Sequence, residues 1–276
     1  MTRRRIVFLD IDGTIIDHDG RIPASAENAI RTARSNGHIV LLSTGRSPLE
    51  VDDRLHAIGL DGEVTSAGAF VRMGEEWVVE RLMPEPKARR MIAVFEELGL
   101  DYTLQGRDAV YPTPGQRERL RRLLELDGRA DLAHMRRGIG RHLQDAGAAP
   151  LDRIAKAVFA SDRLDAFEAV GRELGDEGFS VITGTIPHLG TAGGEVSPAG
   201  VNKGTAILLL LDRLGVDAAD SIGIGDNNND LEMLRAVGLG IAMGNGTPEA
   251  KEAADEETEA VGDDGLAKAF ARHGLI

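Results

Sequence analysis

The chain has 276 residues, no cysteine and a formal net charge of −13. Its length allows one large domain or two smaller ones, and a hydrophobic content of 42% excludes a wholly disordered chain. The acidic balance argues against a nucleic-acid partner. The lack of cysteine excludes disulfides and thiolate metal sites and fits a cytoplasmic location. The longest wholly apolar run, Ala206 to Leu211, is too short to cross a membrane, so we expect no membrane partner.

Strand and helix patterns alternate in the first part of the chain. Ile6 to Leu9 is typical of a buried strand, and Ser25 is a candidate cap for a helix that Gly37 ends. Strands are predicted next at His38 to Ser43 and at Glu63 to Ser66. This alternation predicts an α/β fold, a doubly wound parallel sheet with helices on both faces.

The last third of the chain repeats this alternation. It contains a helix at Lys203 to Leu214, a strand at Ser221 to Gly225, a helix at Asn229 to Ala236 and a strand at Gly238 to Ala242. The middle differs, because its predicted strands come in pairs. These are Asp101 to Gln105, Ala109 to Tyr111, Arg153 to Ser161 and Phe179 to Thr183. Proline and glycine clusters flank this region, so we predict a core of residues 1–84 and 191–276 with an inserted α+β domain at 85–190.

The sequence Asp10-Ile11-Asp12-Gly13-Thr14 directly follows the first strand. Side chains two residues apart at a strand end can project the same way, and two neighbouring carboxylates repel unless a cation or a proton neutralises them. Mg²⁺ is the usual cation beside phosphates. One aspartate could then attack phosphorus while the other transfers protons. A solvated turn is the alternative, because Asp and Gly are common in turns.

Three further motifs follow predicted strands or begin helices. Thr44-Gly45 could approach a phosphate oxygen or cap a helix. Lys203 begins a helix, where a cation is unfavourable unless an anion compensates it, although a surface lysine remains an alternative. In Gly225-Asp226-Asn227-Asn228-Asn229-Asp230, Asp226 could complete a metal site and Asn229 could hold phosphate; a capped loop is the alternative.

Other catalytic motifs are incomplete or missing. The third glycine of a dinucleotide-binding fingerprint is replaced by Asn228, and the chain contains no GxxxxGK[ST] loop and no GxSxG elbow. The sixth positions after Asp10 and Asp226 are Ile15 and Leu231 instead of the glycine of an EF-hand.

Together and in this order, the four motifs resemble those of the haloacid dehalogenase superfamily of phosphatases. The insert between the second and third motifs resembles the Cof-type branch, HAD-IIB, with a C2B cap. Other similarities to that branch are the Ser43-Thr44-Gly45-Arg46 turn, Glu195 ahead of Lys203, and Ala242-Met243-Gly244-Asn245. The resemblance covers essentially the whole chain.

The resemblance implies roles residue by residue. Asp10 would be the nucleophile and a Mg²⁺ ligand, and Asp12 the general acid and base with its backbone carbonyl on the metal. The phosphoryl group would be held by Thr44, Gly45, Lys203 and Asn229. Asp226 would be a metal ligand, and Asp230 would support the site from behind.

The predicted enzyme is therefore a Mg²⁺-dependent phosphomonoester hydrolase acting on small phosphorylated metabolites, with no protein partner. One departure is the turn Ser66-Ala67-Gly68-Ala69, where the branch often has Asn-Gly-Ala. We hypothesise that Arg136, Arg137 and Arg141 bind the leaving group; a solvated basic loop is the alternative.

Two other functions remain open. A phosphomutase or phosphotransferase would pass the same aspartyl-phosphate to a sugar hydroxyl. A non-catalytic signalling receiver would accept a phosphoryl group on the same aspartate and retain it.

Overall fold

The computed structural model describes residues 4–126, 142–183 and 193–276. These residues form two compact units. The first contains 4–46, 51–80 and 202–276, and the second contains the described parts of 47–50 and 81–201. No helix in the described part of the chain combines the length and the apolar character that a membrane span requires.

Each unit has its own sheet and helices. The strands in chain order are β1 (Ile6–Leu9), β2 (Ile39–Ser43), β3 (Gly62–Thr65), β4 (Phe70–Met73), β5 (Glu76–Glu80), β6 (Asp101–Gln105), β7 (Val110–Pro112), β8 (Lys156–Ala160), β9 (Phe179–Thr183), β10 (Gly194–Pro198), β11 (Ser221–Gly225), β12 (Leu239–Ala242) and β13 (Glu256–Glu257). The α-helices are α1 (Ala24–Ser35), α2 (Asp53–Ile58), α3 (Glu85–Glu97), α4 (Pro114–Leu126), α5 (Ala166–Leu174), α6 (Lys203–Leu214), α7 (Leu231–Ala236), α8 (Pro248–Ala253) and α9 (Gly265–Arg272).

The first unit is built on an eight-stranded sheet with the order β13-β12-β11-β1-β2-β3-β4-β5. The strands from β13 to β3 in this order are parallel, and β4 and β5 add an antiparallel hairpin at one edge. The chain moves from β1 to β2 and β3 in one direction and from β11 to β12 in the other. The predicted doubly wound sheet is confirmed, and its order reverses between β1 and β11, where open sheets bind ligands.

Both faces of the sheet are buried at the central strand β1. On one face Val7 of β1 packs in a core with Ile30 of α1 and Phe270 of α9. On the other face Phe8 packs with Ile207 of α6. Burial on both faces explains why β1 is apolar throughout, since each fully buried large apolar side chain contributes about 1.5–3 kcal/mol.

Helix α1 begins differently from the prediction. Pro23 occupies the N-cap position, and the helix starts at Ala24. The Oγ atom of Ser25 instead donates a hydrogen bond of 2.5 Å to Oδ1 of Asp264. The expectation that Ser25 caps this helix is therefore wrong.

The second unit has a five-stranded sheet with the order β7-β6-β8-β10-β9, in which all neighbours are antiparallel. Phe95 of α3 and Val170 of α5 pack with Phe159 of β8 in its apolar core. The sequence pattern assigns residues from 191 onward to the first unit, but β10 lies inside this sheet. Its glycine has a packing role, because a Cβ atom at Gly194 would lie 2.9 Å from the ring of Phe159.

Candidate active site

The site lies at the carboxyl ends of β1 and β11, where the strand order of the first unit reverses. Asp10 directly follows β1, and Asp226 directly follows β11. The two strand ends are joined by a hydrogen bond of 2.9 Å from the backbone N–H of Asp10 to the carbonyl of Ile224. Residues more than 200 positions apart in sequence are thereby brought to one edge of the sheet.

Lys203 connects the two halves of the site. Its Nζ atom donates hydrogen bonds of 2.6 Å to Oδ1 of Asp10 and 2.5 Å to Oδ1 of Asp230, and its side chain is completely buried. The start of α6 is fixed by a capping box between Asn202 and Thr205. A cation at a helix start is compensated here by two carboxylates. The alternative of a surface lysine is therefore wrong.

Asp230 holds the loop that carries Asp226. Its Oδ2 atom accepts hydrogen bonds from the backbone N–H groups of Asp226, at 3.0 Å, and Asn227, at 3.1 Å. A Cβ atom at Gly225 would lie 2.5 Å from Cγ of Asp230, so only glycine leaves space for this carboxylate. Both oxygens of Asp230 are engaged, and its fully buried position agrees with a supporting role.

Gly13 allows the first motif to pass close to Asp226. Its φ angle is +85°, which favours glycine, and a Cβ atom would lie 2.2 Å from Oδ2 of Asp226. The neighbouring loop is fixed by Asn245, whose side-chain amide donates to the carbonyl of Gly13 at 2.9 Å and accepts from the N–H of Val261 at 2.8 Å. The close approach to Asp226 and the hydrogen bond from Asn245 therefore fix the backbone at Gly13.

The carboxylates outnumber the cation that pairs with them. Asp10, Asp226 and Asp230 can each offer an oxygen within 4.8 Å of the others, and Lys203 is the ammonium bonded within this group. If all four groups are ionised, three negative charges and one positive charge leave two negative charges. Such a deficit in a buried site calls for protons or for a divalent cation.

The pKa shifts of these groups follow from burial first and from the neighbouring charges second. Burial, followed by the charge of Asp230, raises the pKa of Asp10 well above its usual range. Burial, again followed by Asp230, raises the pKa of Asp226 to about 7. Burial alone would lower the pKa of Lys203, but Asp10 and Asp230 raise it, so the ammonium stays charged.

A divalent cation fits the residues present. Oδ1 of Asp226 is a buried oxygen that has no hydrogen-bond partner, whereas the oxygens of Asp230 accept from Lys203 and from backbone N–H groups. Carboxylate oxygens are the ligands that hard cations prefer. Asp226 is therefore a better candidate for a side-chain ligand than Asp230.

The predicted phosphate-binding residues also lie close together. Thr44 directly follows β2 and receives a hydrogen bond of 3.1 Å at Oγ1 from the backbone N–H of Arg46. A Cβ atom at Gly45 would lie 3.4 Å from Nδ2 of Asn229. Oδ1 of Asn229 is buried and has no partner. Thr44, Gly45 and Asn229 thus meet at the strand ends beside the carboxylates.

Asp12 is not one of the three grouped carboxylates and pairs with Arg46 instead. Its side chain is 50% exposed and forms two hydrogen bonds with Arg46, from Nη2 to Oδ1 at 2.6 Å and from Nε to Oδ2 at 2.9 Å. No sequence motif assigns an individual role to Arg46. Arg46 belongs to the Ser43-Thr44-Gly45-Arg46 turn, but this turn sequence does not show that Arg46 pairs with Asp12.

The turn after β3 supports the Thr44–Arg46 segment. The N–H of Ser66 donates to the carbonyl of Arg46 at 2.7 Å, and the N–H of Ala67 donates to the carbonyl of Thr44 at 3.0 Å. Ser66 and Ala67 adopt φ angles of +49° and +53°, which are unfavourable for residues with a Cβ atom. This chain forms the turn without the Asn-Gly-Ala sequence.

The remaining predicted residues, Arg136, Arg137 and Arg141, lie outside the described residues. Their proposed contact with the leaving group stays a prediction.

Comparison with known proteins identifies the family to which the chain belongs. The sequence profile of the haloacid dehalogenase-like hydrolases matches residues 7–270, and the chain belongs to this family. It is similar to YkrA of Bacillus subtilis (strain 168), with 31% identity covering 99% of this chain and 98% of the relative. It is 27% identical to the phosphoglycolate phosphatase of Methanothermobacter thermautotrophicus, covering 97% and 98% of the two chains. The expected enzyme class, a phosphatase, is confirmed.

Solved structures agree with this assignment. A Geobacillus kaustophilus HTA426 protein with 26% identity superposes with a TM-score of 0.82, covering 99% of this chain and 100% of the other. The HAD subclass IIB sugar phosphatase BT4131, with 22% identity, has the same fold with a TM-score of 0.81 and the same coverage. The predicted membership of the haloacid dehalogenase superfamily is confirmed by the match over residues 7–270.

Proposed function

We propose that the protein is a Mg²⁺-dependent phosphomonoester hydrolase that works through a phosphoryl group on Asp10. The observation that carries this proposal is the pairing of Asp10 with Lys203 in a buried group whose charge is two units short of neutrality. A divalent cation and a phosphate ester together suit such a site, since phosphoryl transfer depends mainly on positioning and charge neutralisation.

Asp10 and Asp226 would hold the cation through their side chains, and Asp12 through its backbone carbonyl. Mg²⁺ would supply charge stabilisation for the phosphoryl oxygens. Thr44, the backbone at Gly45, Lys203 and Asn229 would bind these oxygens. Lys203 would also favour the ionised form of Asp10, against the effect of burial on its pKa.

The reaction would proceed in two steps. A carboxylate oxygen of Asp10 forms a bond to phosphorus while the ester P–O bond breaks, and Asp12 donates a proton to the departing oxygen. Water then attacks the phosphorus of the acyl phosphate, and Asp12 accepts a proton from this water. Inorganic phosphate leaves, and Asp10 is regenerated.

Small phosphorylated metabolites are the proposed substrates. Relatives that cover most of this chain are named for different substrates, such as the phosphoglycolate phosphatase above and an HMP-PP phosphatase of Enterobacter sp. (strain 638) with 28% identity over 89% of this chain. The different substrates in these names support a phosphoryl-transfer step that the relatives share and a leaving group that varies among them. A cytoplasmic location and the expected lack of nucleic-acid, membrane and protein partners stay predictions from the sequence.

The test measures phosphate release from an aryl phosphate and from a panel of phosphorylated metabolites, with Mg²⁺ and with a chelator. Wild-type protein is compared with Asp10→Asn and with Asp263→Asn, which changes an exposed aspartate outside the site. We expect release that requires both Mg²⁺ and Asp10 and is unaffected in the Asp263 control. Turnover by a folded Asp10→Asn protein would contradict the proposal.

The two alternative functions give different results in the same assay. A phosphomutase or phosphotransferase would release little phosphate and would require an acceptor hydroxyl. A signalling receiver would accumulate a long-lived phosphoryl group on Asp10.

A further inference from the structure

The ion pair between Arg46 and Asp12 is asymmetric. Arg46 is 8% exposed, whereas the side chain of Asp12 is 50% exposed. A carboxylate with half of its surface in solvent samples several rotamers unless a partner fixes it. The fork of a guanidinium fixes both the position and the plane of a carboxylate, because its two N–H donors match the two oxygens.

Arg46 is held firmly enough to act as the fixed partner. Its carbonyl accepts from Ser66 at 2.7 Å, and its N–H donates to Oγ1 of Thr44 at 3.1 Å. The turn that contains Ser66 is itself packed tightly, since a Cβ atom at Gly68 would lie 2.2 Å from the carbonyl oxygen of Asn202. The backbone of Arg46 is therefore fixed to the sheet and to the start of α6.

We propose that Arg46 is a positioning residue that aims the Asp12 carboxyl group at the leaving oxygen of the substrate. This inference rests on the proposed function, in which Asp12 transfers protons. Each carboxylate oxygen has two acceptor sites, so one hydrogen bond from Arg46 to each oxygen leaves a site for the proton. Arg46 makes no contact with phosphorus in this account and acts through Asp12.

The proposal predicts a dependence on the leaving group. An alkoxide leaves poorly without a proton, whereas nitrophenolate leaves readily without one. Loss of a general acid costs about 10²–10⁴-fold in rate where protonation is required. We therefore expect Asp12→Asn and Arg46→Ala to lower kcat/KM much more for glycerol phosphate than for p-nitrophenyl phosphate. For Arg46→Ala the selective loss should be about tenfold or more.

A burst assay gives a second readout. With p-nitrophenyl phosphate, the first step remains fast in Arg46→Ala, but the second step still requires Asp12 as a base. The variant should therefore release a burst of nitrophenolate, followed by slow turnover. A general structural defect would lower both steps together.

The chain contains a matched control for this pair. Arg34 forms the same two-pronged contact with Asp61, from Nη2 to Oδ1 at 2.7 Å and from Nε to Oδ2 at 2.9 Å. Arg34→Ala should leave the ratio of the two kcat/KM values unchanged. If Arg46→Ala does not fold, Arg46→Lys retains the charge without the fork and should show the same selective loss to a smaller degree.

The double variant separates the possible outcomes. If Arg46 acts through Asp12, adding Arg46→Ala to Asp12→Asn causes little further loss. Equal losses for both substrates, or additive losses in the double variant, would overturn the inference. If Asp12→Asn shows the leaving-group effect and the folded Arg46 variants do not, only the inference fails. If Asp12→Asn itself shows no such effect, the proposed role of Asp12 fails and the inference fails with it.

Discussion

Lys203 donates a hydrogen bond of 2.6 Å to Asp10, a residue 193 positions away in the chain. The same ammonium group also donates to Asp230, so one buried cation neutralises carboxylates from two separate loops. Lys203 compensates only part of the negative charge of these carboxylates, so the site still requires protons or a further cation.

Replacing Lys203 with Met should destabilise the protein. The change leaves buried carboxylates without their partner, which costs about 3–5 kcal/mol when one member of a buried ion pair is removed. The free energy of unfolding is measured with a chemical denaturant in the absence of metal. Lys268→Met is the control, because Lys268 is 49% exposed and should change stability little. Equal stability of wild type and Lys203→Met would contradict this description of the site.

Gly13→Ala should impair the site more than it impairs the fold. The new Cβ atom would overlap Asp226, and the φ angle of +85° is itself unfavourable for alanine. Gly37→Ala is the matched control, since Gly37 has φ +93° but no atom within 4 Å of a Cβ atom. Both variants should lose about 1 kcal/mol through the backbone. Only Gly13→Ala should also lose metal-dependent activity, by about tenfold or more, which corresponds to about 1.4 kcal/mol in activation free energy. Similar activity of the two variants would contradict the close approach of residue 13 to Asp226.

The stability of the metal-free protein should depend on the protonation of Asp226. Its pKa rises from the ordinary value of 3.8 to about 7 on folding, mainly through burial. The folded state therefore binds this proton more tightly than the unfolded state. The resulting stabilisation is fully present below about pH 4 and is lost as the pH rises through about 7.

This dependence predicts how Mg²⁺ changes thermal stability. The cation must compete with the proton at Asp226, so Mg²⁺ should raise Tm more at about pH 8 than at about pH 5.5. Asp226→Asn should remove most of the Mg²⁺ effect and should stabilise the metal-free protein at the higher pH. A Mg²⁺-induced shift in Tm that is the same at both pH values would be inconsistent with this account.

The turn after β3 gives a prediction about backbone strain. Ala67 has a φ angle of +53°, which glycine adopts without the cost of about 1–2 kcal/mol that other residues incur. Ala67→Gly should retain activity and keep or slightly raise Tm. Ala67→Val should lower both, because this turn fixes the carbonyl groups of Thr44 and Arg46. Thermal denaturation and phosphate release test the pair, and a Val variant as active as the Gly variant would contradict the role of the turn.

The sequence predicts the elements that carry clear periodicity and end signals. Helix α6 extends from Lys203 to Leu214 as expected, because its apolar face is continuous and Gly215 ends it with a φ angle of +65°. The hairpin of β4 and β5 is not predicted, since it lies at an edge and β5 is mostly exposed or half-buried. β10 is not predicted, because the glycine in its first position resembles a linker residue.

In the site, too, some features can be predicted from sequence patterns and others cannot. The alternation of strands and helices follows from the sequence pattern, so it can be predicted that Asp10 and Asp226 lie at carboxyl ends of parallel strands, where ligands bind. The pairing of Arg46 with Asp12 depends on side-chain directions across 34 positions of sequence, which no local pattern encodes. The unpartnered Oδ1 atom of Asp226 likewise becomes visible only in three dimensions.

Phosphoryl transfer through Asp10 is tested most directly by trapping the phosphoryl group on the protein. Wild-type protein turning over an aryl phosphate with Mg²⁺ is quenched in acid, digested and mapped by mass spectrometry. We predict the added mass of one phosphoryl group on the peptide that contains Asp10, and no such peptide in Asp10→Asn. Turnover with the phosphoryl group on another residue, or sustained turnover by folded Asp10→Asn, would contradict it.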